Sequence, residues 1–85
     1  MIKIEPDESG QNYLLSVVCT DRIGLLYDIA RVLKQYGINL QTAKIMTMGE
    51  RVEDVFLIDG PALADIDTTV KLENALMDAV TPKFL

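Results

Sequence analysis

The stretch that most restricts the fold is Leu25 to Tyr36, LLYDIARVLKQY, followed by Gly37. Apolar residues stand at 25, 26, 29, 30, 32, 33 and 36, the spacing of a helix with one buried face. Tyr27, Asp28, Arg31, Lys34 and Gln35 fall mostly on the other side. Gly37 stands where a left-handed C-cap is wanted. Such a helix needs a second layer to cover its apolar stripe.

The flanking runs supply that layer. Tyr13 to Thr20 (YLLSVVCT) is β-rich and of strand length. Ile38 to Met48 reads as a long strand whose alternation changes phase. Ile38 and Leu40 mark one face, then Ala43, Ile45 and Thr47 the other. Either both faces are partly covered, or a bulge lies near Gln41-Thr42. Gly49-Glu50 makes a tight turn, Arg51 to Ile58 returns as a strand, and Asp59-Gly60-Pro61 breaks it. Before these, Ile2 to Glu5 alternates as a short strand, and Pro6 to Asn12 is a polar loop short enough for a hairpin. A second helix is expected from about Thr68 to Val80, with Leu72, Leu76, Ala79 and Val80 on its buried face. Asp67 or Thr68 is its candidate N-cap, and Pro82 ends it. The order ββαββα predicts one α+β domain over residues 1–85: a two-layer ferredoxin-like sandwich, four antiparallel strands with two helices on one face. Leu15, Val17 and Cys19 would then face the first helix, and Ser16 the other side.

Charge and composition narrow the function. The chain has 85 residues, eight Lys and Arg against thirteen Asp and Glu, and a net charge of −5. Nucleic-acid binding draws most of its affinity from cationic side chains on phosphates, so this balance argues against it. There is no His. The commonest general base and the commonest zinc ligand are therefore missing, and neither a Ser-His-Asp nor a Cys-His mechanism can be built within the chain. No metal and no cofactor is expected. The single Cys allows no internal disulfide, which fits a reducing, cytoplasmic setting. No apolar run has the length of a membrane span.

Two motifs compete for a functional reading. In the turn Asp21-Arg22-Ile23-Gly24, Asp21 precedes the helical pattern and its carboxylate can accept a first-turn N–H. Gly24 permits close backbone approach, and a helix N-terminus suits a carboxylate or other anion. Read locally, the same residues are a cap and a permissive glycine. In GERVEDVF, Gly49 to Phe56, Asp54 shares the core-side phase with Val52, Phe56 and Ile58. A carboxylate there must be paired or hydrogen-bonded. It either belongs to a site or stands at the sheet margin, bonded by backbone or by a nearby Lys or Arg. Glu53 and Asp54 do not form a catalytic pair, because adjacent strand residues point to opposite faces. Cys19 reads as an inert core thiol, and Met46 and Met48 as packing.

Together these residues resemble an ACT domain, and in particular the C-terminal ACT domain of the bifunctional uridylyltransferase/uridylyl-removing enzymes that modify the PII nitrogen-signalling protein. The matching features are Asp21-Arg22-x-Gly24-Leu25-Leu26, Gly37-Ile38-Asn39, Ala43-Lys44-Ile45 and Gly49-Glu50-Arg51-Val52-x-Asp54-x-Phe56. They cover Leu15 to Asp59 closely, and the pattern extends over 13–80. Ile23 replaces a usual Pro, and the usual closing strand after the second helix is missing. Ile2 to Glu5 is expected to take that sheet position, antiparallel to the strand from Tyr13.

The resemblance implies a regulatory domain rather than a catalytic one. The nucleotidyltransferase and hydrolase chemistry would lie in a longer parent chain, which would act on PII. The effector would be an amino acid, glutamine, held at an interface with a second ACT domain or a second copy. Carried over, Asp21, Arg22, Ile23, Gly24 and Leu25 form the loop, and Asn39 and Gln41 supply polar contacts. The effector's carboxylate suits the helix N-terminus and its ammonium suits Asp21. The rival reading is a pairing module that contacts another ACT domain or the catalytic domains with an empty loop. No membrane partner is expected.

Overall fold

The computed structural model describes residues 1–20, 24–49 and 51–81, with backbone alone at 47 and 48. The elements are β1 (Ile2–Pro6), β2 (Tyr13–Thr20), α1 (Leu25–Gln35), β3 (Asn39–Met48), β4 (Arg51–Asp59), a 3-10 turn (Pro61–Ala64) and α2 (Ile66–Val80). The four strands form one sheet in the order β1-β2-β4-β3, antiparallel throughout. This is the ferredoxin-like ββαββα sandwich. β1 takes the outer position beside β2, with Ile2 opposite Val17 and Ile4 opposite Leu15. Its neighbours on the helix side therefore extend the core, and Ile2 and Ile4 pack against it.

The core forms where the alternation of the inner strands meets the two helical stripes. Leu15 and Val17 of β2 and Val52, Phe56 and Ile58 of β4 lie against Leu25, Ile29, Val32 and Leu33 of α1 and Leu72, Leu76 and Val80 of α2. Cys19 is half-buried at the end of this row, and Ser16 stands on the open face opposite Lys3 and Val55. The phase change in β3 is a bulge at Gln41: Leu40 pairs with Ile58 and Thr42 with Leu57. The extra residue puts Leu40, Ala43 and Ile45 on one side, facing the helices.

The helix ends differ from expectation in informative ways. α1 stops at Gln35, and Ile38 N–H donates to the Leu33 carbonyl (2.9 Å) while Gly37 N–H donates to Lys34 (3.0 Å). These two bonds, with Gly37 at φ 69, make a Schellman cap, as the glycine predicts. At its start, Gly24 rather than Asp21 occupies the N-cap, with φ 82. α2 begins at Ile66, two residues before the expected Thr68. Asp65 is its N-cap, and its carboxylate accepts from Asp67 N–H (3.2 Å) and Thr68 Oγ1 (2.8 Å). The 3-10 turn explains the shift: it buries Leu63 and delivers Asp65 to the helix end. Pro82, expected to end α2, lies outside the described residues.

Candidate functional site

The two ends of the sheet carry different chemistry. β2, β3 and their connecting helix fix which is which. β2 and β3 run in the same direction, both antiparallel to β4, and α1 carries the chain back between them. At one end β2 finishes at Thr20, opposite Arg51, and Met48 also pairs with Arg51. α1 starts there. At the other end β3 starts at Asn39, opposite Asp59.

Asp21, Arg22 and Ile23 lie outside the described residues. Gly24 is exposed at the start of α1, and its carbonyl accepts the first helical bond from Asp28 N–H (3.0 Å). A glycine has no side chain with which to cap, so the first-turn amides face the loop end without one from this position. Leu25 is 3% exposed and packs in the core. Its contribution to a loop site is thus limited to backbone. Exposed Arg51 adds a guanidinium at this end, where a shallow depression of about 470 Å³ is lined by Met1, Val18, Cys19, Thr20 and Arg51.

Asn39 and Gln41 are at the far end. β3 has ten residues, and a strand rises roughly 3.3 Å per residue, so roughly 25–30 Å of sheet separates them from the end at which β2 finishes. Within one chain the structure does not bring the two groups together. Instead they meet a residue that sequence reasoning treated only as a strand breaker. Asn39 Nδ2 donates to Asp59 Oδ1 (2.9 Å), and Gln41 Nε2 donates to Asp59 Oδ2. The bulge makes this possible, since Gln41 is the extra residue and lies beside Asp59. The Asn39–Asp59 register was the signal that sequence alone could not supply.

Asp54 is not at the sheet margin. It sits on the inner strand β4, with Val17 on one side and Ile45 on the other, on the helix-facing side and 1% exposed. β4 is an inner strand because β3 returns along its outer flank. Asp54 is two residues along the strand from Val52, away from the loop end.

A second concavity lies between α1 and β3. It measures about 210 Å³ and is lined by Leu26, Ile29, Ala30, Leu33, Leu40, Ala43, Ile45 and Phe56. Leu26, Leu40 and Ile45 are each nearly half exposed along its rim. The lining offers no polar partner for an amino acid's charged groups, so this groove suits apolar side chains. It runs beside the open edge of β3.

Known proteins resemble this chain in sequence or in fold. A family model described as an ACR9-like, ACT-like domain matches residues 1–82. The bifunctional uridylyltransferase/uridylyl-removing enzyme of Cupriavidus metallidurans is 54% identical over 80 residues, covering 93% of this chain and 9% of that protein. That of Bordetella pertussis is 50% identical over 78 residues, again 92% of this chain and 9% of that protein. The chain thus spans about a tenth of the length of the relatives it matches. A crystal structure of an unknown protein from Galdieria sulphuraria superposes with a TM-score of 0.70 at 24% identity, over 82% of this chain and 39% of that one, and shares the fold.

Proposed function

Because this chain belongs to the ACT-like domain family, we propose that it is the effector-sensing module of a uridylyltransferase/uridylyl-removing enzyme, with glutamine as effector. The observation that carries the reading is the 54% identity over 93% of the chain to such an enzyme. In this reading the catalytic domains, the PII substrate protein and the cytoplasmic setting belong to the parent enzyme. The domain's own task is to bind an amino acid and report it.

The geometry sets a condition on that task. The loop end and the Asn39–Asp59–Gln41 cluster are at opposite ends of one sheet, so a site that uses both is completed by a second domain. Antiparallel pairing of two β3 edges about a twofold axis sets the start of β3 in each copy beside the loop end of the other. With the axis at Ile45, Lys44 faces Met46 of the other copy, so the two Lys44 side chains are not opposed, as they would be with the axis one residue earlier. Each Asn39–Asp59–Gln41 cluster then lies toward the loop end of the other copy. The apolar rim of Leu26, Leu40 and Ile45 is covered in the same contact. The effector's carboxylate takes the amides at the start of α1.

Titrating glutamine while recording amide NMR spectra tests this. Shifts at Gly24 to Leu26 and at Asn39 and Gln41, in a domain that light scattering shows to be paired, are the expected result. The second reading, pairing without a ligand, is favoured by the wholly apolar groove. A folded, paired domain that gives no response to millimolar glutamine would establish it and overturn the first.

A further inference from the structure

α2 has apolar residues on two sides. Leu72, Leu76 and Val80 turn inward, while Ile66 is 79% exposed and Val70 and Met77 are each more than two-fifths exposed. At about 100° per residue, Ile66, Val70 and Met77 fall within about 40° of arc and form one stripe roughly 16 Å long. The solvent side of a surface helix is ordinarily polar, and an apolar stripe rimmed by charge marks an interaction surface. Carboxylates flank this stripe on both sides, Glu73 on one and Asp67 and Asp78 on the other, and Lys71 is the one cation of the helix. Among the described residues neither Asp67 nor Glu73 forms an ion pair. α2 packs beside β1 and α1 beside β3, so association along the β3 edge leaves this stripe uncovered.

We propose that this flank of α2 is a docking surface for a cationic amphipathic helix. A straight apolar ridge on one helix packs into the groove of another. The partner's apolar residues, three and four apart, cover Ile66, Val70 and Met77, and its Lys or Arg side chains at either rim reach Glu73 on one side and Asp67 on the other. A second copy of this chain does not fit, because two such stripes packed together set their acidic rims against each other. An anionic lipid surface or a nucleic acid is repelled for the same reason. The apolar stripe supplies affinity, and the carboxylates supply steering and choice of partner.

The test titrates the 15N-labelled chain with two synthetic peptides that share one leucine pattern at helical spacing. One peptide carries lysines at its rims, the other glutamates. The lysine peptide is expected to shift the amides from Ile66 to Met77 and to lose affinity as salt is raised. The glutamate peptide is expected to bind at least roughly tenfold more weakly. Glu73→Lys is expected to weaken the lysine peptide about fivefold or more. Val70→Ser, at an exposed position, is expected to weaken it about threefold and serves if Glu73→Lys fails to fold. Equal affinity for the two peptides, shifts at Leu26, Leu40 and Ile45 in place of α2, or affinity unchanged in the folded variants overturns the proposal. So does the absence of any shift at millimolar lysine peptide.

Discussion

Gly60 shows how a single hydrogen in place of a side chain joins the two helical connections. Its φ is 158, and a Cβ built there would stand 3.2 Å from the Gly37 carbonyl oxygen and 3.2 Å from Ile38 Cδ1. The first of these is backbone of the Schellman cap and cannot rotate away. Gly60→Ala is expected to cost about 1–3 kcal/mol, read as a lower urea midpoint with unchanged slope. Asp7 is a milder case at the surface. The Ser9 hydroxyl donates to it (2.6 Å), and with backbone amides this holds its carboxyl below the usual range. A lowered folded-state pKa contributes stability above the ordinary carboxylate range, and that contribution is lost as pH falls through the lowered value. Ser9→Ala is therefore expected to raise the Asp7 pKa, followed by its side-chain carboxyl 13C shift, and to bring the loss on at higher pH.

At the scale of elements, legibility followed how local the deciding physics was. β2 is found at Tyr13 to Thr20 because β-rich residues and flanking polar ones mark both ends. The end of α1 is legible because only glycine serves comfortably at φ 69. The start of α2 is not, because Asp65, Asp67 and Thr68 are all capping residues and the choice falls to the 3-10 turn that buries Leu63. Asp65→Ala is accordingly expected to destabilise by about 1 kcal/mol, and Asp67→Ala by clearly less, in thermal unfolding. A cost at Asp67 as large as that at Asp65 would contradict the assignment. The candidate site divides the same way. Asn39 and Gln41 stand out as polar residues at a strand start, but Asp59 becomes their partner only through the β3–β4 register and the bulge, which are properties of two strands at once. Asp54 was placed on the correct face by alternation and on the wrong part of the sheet, since alternation says nothing about which strand is inner.

For the whole molecule the decisive asymmetry is between its two sheet edges. β1 is a five-residue edge ending in Pro6, with Lys3 and Glu5 in an exposed ion pair (3.4 Å). Short strands, proline and charge are devices that discourage further pairing. β3 is ten residues long and is bordered by the exposed apolar side chains of Leu26, Leu40 and Ile45. Association is therefore expected along β3, with the bulge at Gln41 restricting regular pairing to Thr42 onward. Leu26→Asp tests the apolar part: because Leu26 is 45% exposed, the fold should survive while the dimer constant weakens by about tenfold or more in sedimentation. The register has a sharper signature. A twofold axis at Ile45 brings position 45 opposite itself, and directly opposed antiparallel residues have Cα atoms roughly 4.5–5.5 Å apart, inside the range that a disulfide spans. In a Cys19→Ser background, Ile45→Cys should cross-link to a dimer under mild oxidation, seen on a non-reducing gel, and Ala43→Cys should not, because its mate lies four positions away across the pair. Cross-linking at 43 in preference to 45 would place the axis elsewhere. Failure at both, in a protein that sedimentation shows to be dimeric, would move the contact off this edge and leave the loop and the Asn39–Asp59–Gln41 cluster as separate features.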